Sequence, residues 1–215
     1  MPLTTMANGH TQEMEPPRHG CSMPIREALL VTRRADGGAH VAPMGAQALT
    51  LPDGAEGVLL QPFRPSATLD NLLRWPYATL NHVDDVRLFA GCLTGRRDWP
   101  TRAAGRIACA RLDCALAHEE LEVERVEDDP QRPRFFLRLL ARANHAPFPG
   151  FNRAKAAVIE AAILVSRLHL LPPDKVAREL ATLRIALDKT AGEEEQEAWG
   201  WLMEAVARHR EKQSA

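Results

Sequence analysis

The chain has little of what would mark a common enzyme class. It contains no GxSxG and no HExxH, and neither the Walker nor the Rossmann glycine pattern. A serine hydrolase elbow, a helical zinc-protease site and the usual nucleotide folds are therefore not written into it. Its four cysteines, at positions 21, 92, 109 and 114, form no CxxC pair, and nothing suggests secretion. Reduced structural thiols in a cytoplasmic protein are the expectation. Cys109, Cys114 and His118 make a poor zinc set at that spacing, and no metal is expected. No apolar run approaches the ~18–20 residues needed to span a bilayer, and the longest, 156–165, is interrupted by Glu160. A net charge of −1 gives no bulk attraction to nucleic acid or to an anionic membrane. There is one tyrosine, so stacking on tyrosine is no general means of holding a flat ligand here.

What is present is a chain of 215 residues, enough for one good core and a smaller appendage. Residues 1–22 lack a basic-then-apolar signal design and read as a disordered tail. Residues 25–142 look β-rich. A strand over 25–34 meets its return over 39–49 across Asp36-Gly37, a hairpin signal. Short strands follow at 58–62 and 77–83, with a helix near 68–74 between them. The run 121–127 alternates apolar and charged residues, the pattern of a half-buried antiparallel strand, and 134–142 pairs with it across Asp128-Asp129-Pro130. Six or seven strands with one inserted helix suggest a small barrel. After Gly150 the pattern changes to helices. The first, 154–170, is ended by Pro172-Pro173. The second carries Val176, Leu180, Leu183 and Leu187 as a stripe, and Thr190 to Glu193 has capping-box spacing before a third. The division expected is a barrel over 23–148 and a helical part over 149–213.

The chemistry concentrates in PFRPSATLDNLL, which begins at Pro62. Arg64, Ser66 and Thr68 lead into a short helix that includes Asn71. Helix-start N–H groups, hydroxyls and a guanidinium together suit a phosphate. The same residues serve equally as an N-cap and a solvated arginine, and both readings stand at this point. Pro43 and Gly45 interrupt a strand, as at an edge, a bulge or close approach to a ligand. His40, in the same strand, reads as a half-buried structural histidine. Asp84 and Asp85 read as turn carboxylates rather than an acid/base couple. Asn152 suits a helix cap, which leaves Arg153 and Lys155 in a first turn where cations need an anion nearby. Glu160 and Arg167 would need polar partners if buried.

The blocks VTRRADGGAHVAPMGAQ, PFRPSATLDNL, LNHVDDVRLFAG, GFNRAKAAVIEAAILVSRL and ALDKTAGEEEQEAW together resemble the family known as domain of unknown function 447. The resemblance runs from about Ile25 to Val206. That family is similar to the flavin reductase-like split barrels, which bind FMN at a homodimer interface. The implied fold is α+β and mainly antiparallel, a split β-barrel with a C-terminal three-helix appendage. The resemblance implies that Pro62, Phe63, Arg64, Ser66, Thr68 and Asn71 hold the FMN phosphate and ribityl chain. It places Ala42, Pro43, Met44 and Gly45 along the isoalloxazine. Asn81, Asp84, Asp85 and Val86 fall near the flavin or the second subunit. Asn152, Arg153 and Lys155 match a family block and join the expected cofactor set as contacts to substrate or to FMN from the other subunit. The function implied is a homodimeric flavoprotein of reductase type with a small-molecule substrate. Family members that occur beside tetrahydromethanopterin genes suggest one-carbon metabolism. The competing reading is a non-catalytic flavin- or pterin-binding module.

Overall fold

The computed structural model describes residues 24–214, so the tail expected over 1–22 lies outside the described residues. Strands β1 (Ile25–Arg33) and β2 (Ala39–Thr50) form the first hairpin. Its turn depends on Gly37 at φ 87°, which a residue with a Cβ rarely adopts, and on the Asp36 carboxylate, which accepts the Gly38 N–H at 2.9 Å. Then follow β3 (Glu56–Leu60), α1 (Ala67–Arg74), β4 (Tyr77–His82) and α2 (Arg87–Thr94). A two-stranded flap of β5 (Thr101–Ala103) and β6 (Ala110–Leu112) precedes the long strands β7 (Ala117–Glu127) and β8 (Arg134–Asn144). Six strands close a barrel in the order β1-β2-β3-β8-β7-β4, every pair antiparallel. Closure leaves this sheet without a free edge.

The period-two pattern decides what fills the barrel. Ala28 and Leu30, Ala46, Val58 and Leu60, Ala78 and Leu80, Leu121, and Phe135 and Leu137 share one buried cluster. Leu69 and Leu72 of α1 join it, so this helix closes one end of the barrel. Gly57 sits where a Cβ would lie 2.7 Å from the Leu137 carbonyl oxygen and 3.0 Å from Leu49 and Leu51. Gly57→Ala is therefore expected to lower unfolding free energy by about 1–3 kcal/mol, read from urea denaturation.

Three helices complete the chain: α3 (Arg153–Ser166), α4 (Pro173–Thr190) and α5 (Glu193–Ser214). Their core is Val158, Ala161, Leu180, Leu187, Trp199 and Leu202 with their neighbours, and it takes in Val86 and Ala90 from around α2. The opposite face of α2, Leu88 and Phe89, packs on Leu29, Val31 and Val41 outside the barrel. That two-faced helix joins barrel to appendage. It was not expected, because RLFAGCLT is short and contains Gly91. The glycine is needed where a Cβ would lie 2.4 Å from the Trp99 ring.

Two helix boundaries also differ from expectation. The first appendage helix ends at Ser166, and Leu168 to Leu171 follow in hydrogen-bonded turns. Glu160 and Arg167 are exposed, so they need no buried partner. The capping box is shifted by two residues. Thr190 still belongs to α4, and it is Gly192 whose N–H is bound by the Glu195 carboxylate at 2.7 Å. Among the described residues, no helix is long and apolar enough to cross a membrane.

Candidate functional site

The first turn of α1 is built by its cap. Ser66 is extended (φ −158°), and its hydroxyl accepts the Leu69 N–H at 3.2 Å. The N–H groups of Ala67 and Thr68 have no acceptor within the helix, as at any helix start. Arg64 stands beside this turn, partly exposed, with one guanidinium nitrogen 2.7 Å from Asp128. Pro62 is buried, while Phe63 is exposed and carries the Arg132 guanidinium 4.5 Å from its ring centroid. Behind the turn, Thr68 and Asn71 are buried. The Thr68 hydroxyl lies 3.3 Å from His40 Nε2, and the Asn71 amide donates to the Thr32 hydroxyl at 3.0 Å. Burial, and after it the nearby charges of Arg97 and Arg34, hold the His40 pKa below its ordinary value. His40 thus enters the site as a neighbour of Thr68, a role its strand context alone did not reveal. The cluster is rich in donors and cations at a helix start, which is what a phosphate group requires.

Residues 42–45 run along β2 away from His40, half-buried. Met44 turns inward onto the barrel core. Gly45 leaves 2.9 Å between an added Cβ and the Ile25 side chain, so the strand is tight there. At about 3.3 Å per residue, Met44 is roughly 13 Å along the strand from His40. One extended ligand can reach from the α1 turn to this stretch.

The other expected site residues have partners inside the chain. Asn81 is fully buried. Its amide donates to Leu29 O, Thr79 O and the Thr79 hydroxyl, and its oxygen accepts the Leu112 N–H at 2.9 Å. It stitches the β5–β6 flap to the barrel. Asp85 accepts the Arg87 N–H at 2.9 Å and holds the Arg87 guanidinium, which also reaches Glu194 at 2.9 Å and Glu197 at 3.4 Å. Val86 is buried in the helical core. Asn152 caps α3 through the Ala154 and Lys155 N–H groups and donates to Thr190 O at 3.0 Å. The Lys155 ammonium meets Asp84 and lies 3.8 Å from Glu195. The anion that this cation needed at a helix start is thus internal, and no ligand is required to explain it. Arg153 is exposed. Asp84 through Lys155, Asp85 through Arg87, and Val86 tie the appendage to the barrel side, whereas the α1 turn and β2 form a separate group.

One network escaped the sequence reading. The buried Glu120 carboxylate accepts N–H groups from Gly105 at 2.6 Å, Arg106 at 2.7 Å and Ile107 at 3.1 Å. His118, also buried, lies 3.3 Å from the same carboxylate and 2.9 Å from the His145 ring. Burial raises the Glu120 pKa. The Arg106 and Gly105 N–H groups, the His118 ring and the Ile107 N–H outweigh it, and the carboxyl stays below its ordinary value. The only local signal was a glutamate on the face of β7 opposite Leu121, which reads as solvated. The Cys109 thiol of this flap donates to Val31 O at 3.4 Å.

The fold is shared with a solved structure. An FMN-bound protein of the DUF447 family from Methanosarcina mazei is 22% identical, with a TM-score of 0.72 over 85% of this chain and 95% of that one. More distant are the styrene monooxygenase flavin reductase from Pseudomonas putida S12 (13% identity, TM-score 0.46, 56% of this chain and 79% of that one) and an FMN-binding protein from Thermus thermophilus with bound p-hydroxybenzaldehyde (16%, 0.48, 65% and 82%). No curated protein matches. The fold is that of the FMN-binding split barrels, carrying a helical C-terminal part. The model of the DUF447 N-terminal domain, described as a protein of unknown function, matches residues 26–146, and that of the C-terminal part matches 152–204. The chain belongs to the DUF447 family.

Proposed function

We propose that this protein binds FMN and acts as a reductase-type oxidoreductase on a small molecule. The observation that carries the proposal is the α1 turn, with its helix-start N–H groups, Ser66 and Arg64, set on the fold of an FMN-bound relative. The residues fit the group. Arg64 and the first-turn N–H groups of α1 would hold the phosphate. Thr68 and Asn71 are buried and tied to His40 and Thr32, so they position that turn. Ala42, Pro43, Met44 and Gly45 would lie along the ring, and Gly45 leaves no side chain between that strand and Ile25. When bound, FMN supplies two-electron transfer between a donor and an acceptor, and the protein orients it. The homodimer and a pterin-linked substrate rest on the family resemblance, and the cytoplasmic location rests on the cysteine pattern.

The decisive measurement is the visible absorption spectrum of the purified protein, before and after adding FMN and desalting. A retained flavin near one FMN per chain is expected, followed by turnover with a nicotinamide donor and an added acceptor. A colourless protein that refuses FMN would overturn the proposal. Binding with no turnover across donors would instead favour a flavin-binding module. Arg64→Ala is expected to weaken FMN binding by about 1.5 kcal/mol, roughly tenfold in Kd, the low end for a charge-assisted contact because the side chain is partly solvated. Unchanged affinity in the folded variant would remove Arg64 from the site.

A further inference from the structure

Among the described residues, nothing closes the end of the barrel away from α1. β1 pairs Thr32 with His40 where α1 closes the barrel and Arg26 with Ala46 toward the other end, about 20 Å along the strand at 3.3 Å per residue. There a cavity of about 260 Å³ descends between β2, β3, β4 and β7. Its walls include Ala46, Ala48, Val58 and Leu80, and its rim carries charge of both signs. Arg142 is committed, 3.0 Å from Glu119 and 3.1 Å from Glu56. His82 lies 4.0 Å from Glu119 on the other side. The exposed Arg26 also lines the cavity, and its side chain has no ion pair or hydrogen bond among the described residues. Both rim glutamates are thus held by Arg142, and among the described residues the Arg26 side chain is held by neither.

We propose that this barrel end is a second binding site, for a small monocarboxylate with a compact apolar body. The apolar wall takes the body and the unmatched Arg26 fork takes the carboxylate, while the Glu119–Arg142–Glu56 chain fixes the rim and repels a second negative charge. Size agrees: a dry cavity of roughly 150 Å³ accepts benzene, so about 260 Å³ accommodates a ring with its carboxylate. A dianion or a bulky cofactor does not suit it. The site is independent of the flavin reading, because none of its lining residues belongs to the α1 turn or to 42–45.

The test is titration of the full chain with benzoate, followed by amide chemical shifts, with FMN content recorded on the same sample. Benzoate should shift Ala46, Ala48 and Val58 amides with a dissociation constant on the order of 0.1–1 mM. Neutral benzamide should bind at least about tenfold more weakly. Arg26→Gln should weaken benzoate about tenfold, and Arg64→Ala should leave it unchanged. Absence of binding up to about 20 mM overturns the proposal. So does equal binding by Arg26→Gln, or shifts confined to His40 and Thr68. Loss of FMN with benzoate binding intact would sink the flavin reading alone.

Discussion

Glu120→Ala is expected to cost the fold about 2–4 kcal/mol, measured as a fall in the urea midpoint with little change in slope. The carboxylate is buried and is the shared acceptor of three N–H groups from residues 105–107 and a neighbour of His118. Truncation would leave the buried Ile107 N–H without a partner and would release the exposed Gly105 and Arg106 N–H groups to water, so the loss is one unsatisfied donor plus three charge-assisted bonds. Glu120→Gln keeps an acceptor oxygen but turns an NH₂ toward N–H donors, so it should fall between the wild type and the alanine variant. Amide exchange around residues 105–107 should accelerate before exchange in the barrel does, because Glu120 holds that end of the flap while Asn81, Thr79 and buried Leu112 hold β6. The same carboxylate gives the pH dependence. Glu119, through His82 and then Arg142 working against burial, is likewise held below the ordinary 4.5. What the pair contributes is present in full above about pH 4.5 and is lost as the pH falls through their lowered folded-state values. His40 acts earlier. Its folded-state value lies below the ordinary 6.5, so acid favours the unfolded chain from about pH 6.5 downward. A single acid transition centred at 4.5, with flat stability above it, would contradict this account.

Lys155→Met is the second large effect, a loss of about 2–4 kcal/mol. Its ammonium stands between Asp84, just after β4, and Glu195, in the first turn of α5, with side chains 20%, 28% and 7% exposed. Methionine keeps the stem and removes the charge, leaving two carboxylates facing one another with no cation. The variant should loosen α3 and α5 from the barrel, and Asp84→Asn should restore part of the loss in a double-mutant cycle. FMN affinity separates this role from a ligand role. It should stay within about twofold, whereas direct contact with the cofactor phosphate would cost about tenfold or more. A fall in FMN affinity at unchanged stability would return Lys155 to the cofactor.

The barrel strands were legible because each buries one face, and burial on one face writes a period of two into the sequence. The run from Leu121 to Glu127 and its partner from Arg134 show this directly. The appendage helices were legible for the corresponding reason, a stripe such as Val176, Leu180, Leu183 and Leu187. Ser66 and Asn152 were readable as caps because capping is a local bond across two or three residues. Family and fold also followed from ordered blocks of the chain. Long-range partnership was not legible. Asn81 and Glu120 sit on strands beside hydrophobic neighbours, and only closure of the barrel brings residues 105–112 over them. Lys155 and Asp84 are separated by seventy-one residues, and neither sequence neighbourhood shows which cation answers which anion. The sequence by itself determined the elements, their faces and their caps, because those depend on neighbours within a few residues. Tertiary structure alone decided which polar groups serve the fold, which gather at the α1 turn and which ring the far barrel end, because burial and charge pairing are set by contacts between distant parts of the chain.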